Sequence, residues 1–100
     1  MNDEMPHKTS QRYESAAELF GVLSTAARLR IIGALCAGEK NVSQLLDLVG
    51  LSQPNVSRHL NVLYRAGVLA KRRSGAQMFY RIADGSVVQL CKTVCSRVSP

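Results

Sequence analysis

Between Asp47 and Asp84 the chain carries no Asp or Glu, yet it holds Arg58, Arg65, Lys71, Arg72, Arg73 and Arg81. Inside that segment, residues 51–67 (LSQPNVSRHLNVLYRAG) read as one helix with both ends marked: Ser52 as cap, Pro54 in the first turn, Gly67 as stop. Val56, Leu60 and Leu63 fall at i, i+4 and i+7 and give it an apolar face that must meet a core. The opposite face gathers Gln53, Asn55, Ser57 and Arg58, whose amide, hydroxyl and guanidinium groups suit base edges and phosphates. An ordinary solvated helix mixes both signs of charge for i,i+4 support. This one has no anion, which points to a polyanionic partner, double-stranded nucleic acid.

One hundred residues supply a single domain with one modest core. At 46% hydrophobic and 20% charged residues the chain is globular rather than disordered. Its formal net charge is +6, and six of its thirteen Lys and Arg residues fall in the acid-free segment. The excess is therefore local, as an electrostatic footprint is. No apolar run approaches the roughly 20 residues of a membrane helix, and residues 1–7 (MNDEMPH) lack the basic start and apolar block of a signal peptide. A cytoplasmic address without a membrane partner is the expectation. Cys36, Cys91 and Cys95 are an odd number without framework spacing, so reduced thiols are expected rather than structural disulfides.

Residues 1–12 are polar and unpatterned and read as a flexible tail. From Tyr13 the pattern changes: Ala16, Ala17, Leu19, Phe20, Val22 and Leu23 give a helix apolar over more than one stripe. Ser24-Thr25 offers the cap of a second helix, with Leu29, Ile31, Ile32, Leu35 and Cys36 as its apolar residues and Gly38 at its end. Glu39-Lys40-Asn41 is a short connection, and Asn41 caps a third helix through Val42, Leu45, Leu46, Leu48 and Val49 that Gly50 ends. Two short helices on a tight Gly-containing turn, the second polar on its open face, describe a helix-turn-helix. Residues 68–73 and 77–83 flank the turn Ser74-Gly75-Ala76 and predict a β-hairpin with Lys71, Arg72 and Arg73 at its tip. Such a hairpin is a wing, its cations placed to neutralise phosphates.

Asp84 caps a last helix in which Val87, Val88, Leu90, Cys91, Val94, Cys95 and Val98 again cover a broad arc. The predicted fold is mainly α with a β-hairpin, a winged helix-turn-helix over residues 13–98, dimerising through its terminal helices. A two-fold dimer presents two polar helices to successive major grooves.

Several segments together resemble the ArsR/SmtB family of small bacterial winged-helix repressors. They are Ala27-Arg28-Leu29-Arg30-Ile31-Ile32 with Gly38-Glu39, then Asn41-Val42-Ser43-Gln44-Leu45, then Leu51-Ser52-Gln53-Pro54-Asn55-Val56-Ser57-Arg58-His59-Leu60, then Leu63-Tyr64-Arg65-Ala66-Gly67-Val68-Leu69, Arg72-Arg73-Ser74-Gly75 and Phe79-Tyr80-Arg81-Ile82. The likeness covers residues 15–98. It implies a homodimer that sits on operator DNA and leaves when an inducer acts. It also implies that Gln53, Asn55, Ser57 and Arg58 read bases, with Ser52, His59 and the wing on the backbone. Arg65 and Gln77 extend that set. On the helix wheel His59 lies beside Val56, Leu60 and Leu63, half turned inward, so a packed or phosphate-bonded imidazole is expected rather than a metal ligand.

The resemblance leaves the inducer open. Members that sense arsenite carry Cys-Val-Cys where this chain has Asn41-Val42-Ser43, and members that sense zinc pair Asp with His on the last helices, where this chain has Asp84 and no histidine. Members that sense persulfides or oxidants use one cysteine on the second helix and one on the last. Here Cys36 lies one turn beyond that position, which is Gly33. Cys91 and Cys95, at i and i+4, share a helix face. Their thiols could take a soft metal or metalloid ion such as arsenite, or be oxidised, with Cys36 completing a three-sulfur site if it packs nearby. No obligatory cofactor is expected. The alternative is a ligand-independent DNA-binding regulator whose cysteines are small apolar core residues. An enzyme is not expected, since there is no Cys-x-x-Cys, no phosphate-binding glycine loop, and no histidine or paired carboxylates near the cysteines.

Overall fold

The computed structural model describes residues 7–98, with side chains from residue 11 onward. The elements run α1 (His7–Val22), α2 (Ala26–Leu35), β1 (Lys40–Asn41), α3 (Val42–Val49), α4 (Gln53–Arg65), β2 (Leu69–Ser74), β3 (Gln77–Ile82) and α5 (Gly85–Val98). It is a winged helix-turn-helix in which α3 and α4 form the helix pair and β2 and β3 the wing.

Short polar side chains and glycines set the helix ends. Thr25 Oγ1 accepts from the Arg28 N–H at 3.2 Å at the start of α2. Asn41 and Gln44 complete a reciprocal capping box on α3, with bonds of 2.9 and 2.8 Å. Helix α4 ends in a Schellman motif: Gly67, at φ 80°, donates to the Tyr64 carbonyl and Val68 donates to the Leu63 carbonyl, both at 3.0 Å. Before α5, Asp84 Oδ1 accepts from the hydroxyl and the backbone N–H of Ser86, and these bonds hold its carboxyl below the usual range.

Four local expectations are corrected. Helix α1 starts at His7 rather than Tyr13, so residues 7–12 of the expected tail are helical, while residues 1–6 lie outside the described ones. Apolar periodicity marks only the part of a helix that packs, and propagation beyond it needs little more than the next hydrogen bond. Ser52 occupies the N-cap position of α4 but makes no side-chain cap bond. Lys40 and Asn41, read as a plain connection, form β1 and pair antiparallel with Tyr80 and Phe79 to give a three-stranded sheet in the order β1-β3-β2. Two residues are too few to show a period. Leu48, expected among the apolar positions of α3, is 59% exposed.

The core lies between α2, α3, α4 and the base of the wing. Val56, Leu60 and Leu63 of α4 are fully buried with Ile31, Leu45, Val68 and Leu69. The Val68 carbonyl accepts from the Ala83 N–H at 2.9 Å, which closes the wing at its root. On the terminal helices the expected surplus of apolar surface is present: Tyr13 and Phe20 on α1 and Val94 and Val98 on α5 are all exposed. Among the described residues no helix is long and apolar enough to cross a membrane.

Leu60→Ala is expected to cost about 3 kcal/mol of unfolding free energy, whereas Leu48→Ala should change it by less than about 0.5 kcal/mol. Urea unfolding followed by circular dichroism measures both.

Candidate nucleic-acid interface

The buried seam of α4 fixes which face is left open. Gln53, Asn55, Ser57 and Arg58 are exposed, as is Arg65 in the last turn. Ser52, at the N-cap without a cap bond, is exposed too. Its hydroxyl therefore stands at a helix N-terminus, where backbone N–H groups favour an anion. Asn61, at i+3 from Arg58 and i+4 from Ser57, is also exposed and belongs to the same face. Sequence reasoning passed over it, although its spacing alone would have found it.

The wing is built less simply than its sequence suggests. Lys71, opposite Tyr80 across the hairpin, places its Nζ 4.3 Å from the centre of the Tyr64 ring and so ties β2 to α4. Arg72 alternates to the other face. There it forms a two-pronged bond with Glu39, Nη2 to Oε1 at 2.6 Å and Nε to Oε2 at 2.9 Å, and lies 4.8 Å from the Phe79 ring centre. The bond to Arg72 holds the Glu39 carboxyl below its ordinary range. The segment free of acids in sequence thus receives one carboxylate in space, brought by the chain leading into β1. Arg73 pairs with no carboxylate among the described residues, and Arg81 lies on the Arg72 face of the wing. Gln77 does not simply face outward: its Oε1 accepts from Asn41 Nδ2 at 3.0 Å and joins the wing turn to the cap of α3. Asn41, Gln53 and Gln77 line a hollow of about 260 Å3 between the wing and the N-terminal ends of α3 and α4.

His59 is half-buried, as its place on the wheel suggested. Its Nδ1 accepts from Arg28 Nε at 3.2 Å. Burial, and then the charges of Arg28 and Arg58, lower its pKa from the ordinary value of 6.5.

The thiols lie elsewhere in the fold. Cys36 sits just past the last residue of α2, exposed rather than in the core. It nevertheless shares with Cys91 and Cys95 a groove of about 130 Å3 between α2 and α5, lined also by Leu29, Ile32 and Gly33. Burial, then the nearby Cys95 and Cys36 thiols, push the half-buried Cys91 thiol above its ordinary pKa. None of the three is in a disulfide. Among the described residues no three His, Cys, Asp or Glu side chains are arranged to hold a metal ion.

A helix-turn-helix with an open polar helix and a basic wing defines a DNA-binding transcriptional regulator rather than an enzyme. Comparison with known proteins gives the group. The family model described as bacterial regulatory protein, arsR family, matches residues 25–71. An HTH-type transcriptional regulator of Methanocaldococcus jannaschii is 36% identical over 85 residues, covering 84% of this chain and 96% of the relative. The crystal structure of the transcriptional repressor BigR from Xylella fastidiosa superposes with a TM-score of 0.84 at 29% identity, covering 97% of this chain and 99% of that one. A homodimeric winged helix-turn-helix DNA-binding domain from Mycobacterium bovis superposes with a TM-score of 0.77 at 28% identity, over 94% and 86% of the two chains. The chain belongs to the ArsR/SmtB family of winged-helix transcriptional repressors.

Glu39→Gln should release Arg72 toward phosphate, tighten binding to a duplex of arbitrary sequence, and steepen the slope of log affinity against log salt by about one for each protomer bound. Arg73→Ala should make the same slope shallower by about one for each protomer bound. Anisotropy titrations at several salt concentrations measure both.

Proposed function

We propose that the chain is a homodimeric repressor that binds operator DNA in the cytoplasm and releases it when its cysteine thiols are modified. The observation that carries the reading is a division of labour within one small fold. The open face of α4 is polar and cationic, while all three cysteines line one groove between α2 and α5. Gln53, Asn55, Ser57 and Arg58 read base edges. Ser52, His59, Arg65, Lys71, Arg73 and Gln77 hold the backbone or the parts that rest on it. Arg72 acts on the wing through Glu39. The dimer is supported by the exposed apolar side chains of α1 and α5 and by the homodimeric relative from Mycobacterium bovis.

Three thiols in one groove suit either a thiophilic ion such as arsenite or a covalent inducer, reactive sulfur being the covalent one. A thiolate attacks the outer sulfur of a persulfide donor, gains that sulfur and expels the donor's thiolate. A second cysteine thiolate then attacks the inner sulfur, closing a disulfide and expelling hydrogen sulfide anion. Cys36 with either cysteine of α5 is the favoured pair, because i,i+4 thiols on one helix meet disulfide geometry poorly. Linking α2 to α5 shifts the helices that carry the dimer face and disfavours the spacing of the two recognition helices. A coupling of about 1–3 kcal/mol weakens DNA binding several-fold to a hundredfold.

Anisotropy of a labelled duplex at fixed salt, titrated with a persulfide donor, a peroxide, arsenite and zinc, should show release from wild type by the persulfide donor. Cys91→Ser/Cys95→Ser and Cys36→Ser should bind DNA normally and resist release. Release that survives these substitutions would leave the cysteines as packing and put the inducer's site elsewhere, and release by none of the agents would leave the protein as a ligand-independent binder.

A further inference from the structure

We infer that Arg28 is a positioning residue for the recognition helix, and that its hydrogen bond to His59 makes operator binding weaken in acid. The inference rests on the reading of α4 as the DNA-reading helix and adds to it a group that sets that helix's pitch. Arg28 stands in the first turn of α2, its own N–H held by the Thr25 cap at 3.2 Å. From there its guanidinium reaches two other helices. Nη1 donates to the Val22 carbonyl, at the end of α1, at 3.0 Å, and Nε donates to Nδ1 of His59 in α4 at 3.2 Å. The Val22 carbonyl is one of those that a helix end leaves without an internal partner, so the first bond also closes α1. A single planar fork thereby fixes three helices against one another, which a flexible ammonium cannot do.

His59 follows Arg58 of the open face and precedes Leu60 of the buried seam. A bond to its ring therefore acts on rotation of α4 about that seam. The bond requires a neutral imidazole with its proton on Nε2, because a protonated ring has no acceptor. The charged groups acting on the ring are Arg28 from α2 and Arg58 from α4 itself, both cations. Together with burial, the larger cause, they favour the neutral form, so the bond is intact at neutral pH. The sign follows from linkage. The folded state holds its proton less tightly than the unfolded chain, so the contribution is full above the ordinary value of 6.5 and is lost as pH falls through the lowered folded value. A histidine that merely touched a phosphate would behave in the opposite way, since its protonation adds a cation and tightens binding.

The test uses a DNA duplex selected from a random-sequence pool by the wild-type protein, with anisotropy read at fixed ionic strength from about pH 7.5 down to about pH 5. Wild type, Arg28→Lys, His59→Asn and His59→Phe are compared. Wild-type affinity should fall about tenfold across that range, the loss expected of one hydrogen bond to a charged group. Arg28→Lys keeps the charge without the fork and should be about tenfold weaker already at neutral pH. His59→Asn keeps an acceptor near the Nδ1 position without titrating. Whatever its affinity at neutral pH, that affinity should stay flat in acid, which also excludes His7 as the source of the effect. His59→Phe should be weak throughout. If thermal unfolding shows Arg28→Lys to be misfolded, the profiles of wild type and His59→Asn decide alone. Wild-type affinity that stays flat or rises in acid, or a His59→Asn profile equal to that of wild type, would overturn the inference while leaving the DNA-binding reading intact. If the wild type selects no duplex at all, both fail.

Discussion

Burial of Val56, Leu60 and Leu63 is the constraint on which the rest of the molecule depends. All three reach zero exposure on one side of α4, against α2, α3 and β2. Each such side chain contributes about 1.5–3 kcal/mol, so together they outweigh any single polar contact in the fold. Because a helix turns 100° per residue, fixing that seam also fixes where Gln53, Asn55, Ser57, Arg58 and Asn61 stand. The open polar surface of α4 is therefore a product of the core. The Schellman close at Gly67 then delivers Val68 and Leu69 straight into the same core, and the wing starts from a buried root.

Most of this was legible in the chain because the signals were local. The caps at Thr25 and Asn41, the stops at Gly50 and Gly67, and the two periods of α4 and the hairpin each depend on residues within a few positions. What the sequence concealed was contact across long separations. Glu39 reaches Arg72 over 33 positions, Asn41 reaches Gln77 over 36, and Arg28 reaches His59 over 31. None of these pairs leaves a periodic trace. The same blindness covers β1, whose two residues become a strand only because β3 arrives beside them. Ser52 failed as a cap for a related reason: a residue type permits a bond, and surroundings decide whether it forms. Cys36 was legible as a thiol near α2, but its meeting with Cys91 and Cys95 in one groove depends on how α5 returns across α2.

The wing shows how a charge count differs from a charge distribution. Of three consecutive cations, Lys71 leans on Tyr64 and Arg72 is held by Glu39, leaving Arg73 without an anionic partner among the described residues. Strand alternation explains the split, since neighbours in a strand point to opposite faces. Two of the three cations thus stabilise the placement of the wing relative to α4 and β1.

The most direct test of the central claim is methylation interference at guanine N7, which lies in the major groove. It would be run on a duplex selected by the wild-type protein. If α4 enters the major groove and two copies act together, interference should fall in two patches about 10 base pairs apart, or a multiple of that spacing, related by a two-fold axis. Interference confined to one patch, or its absence while minor-groove probes are blocked, would contradict the placement of α4 as the reading helix of a dimer.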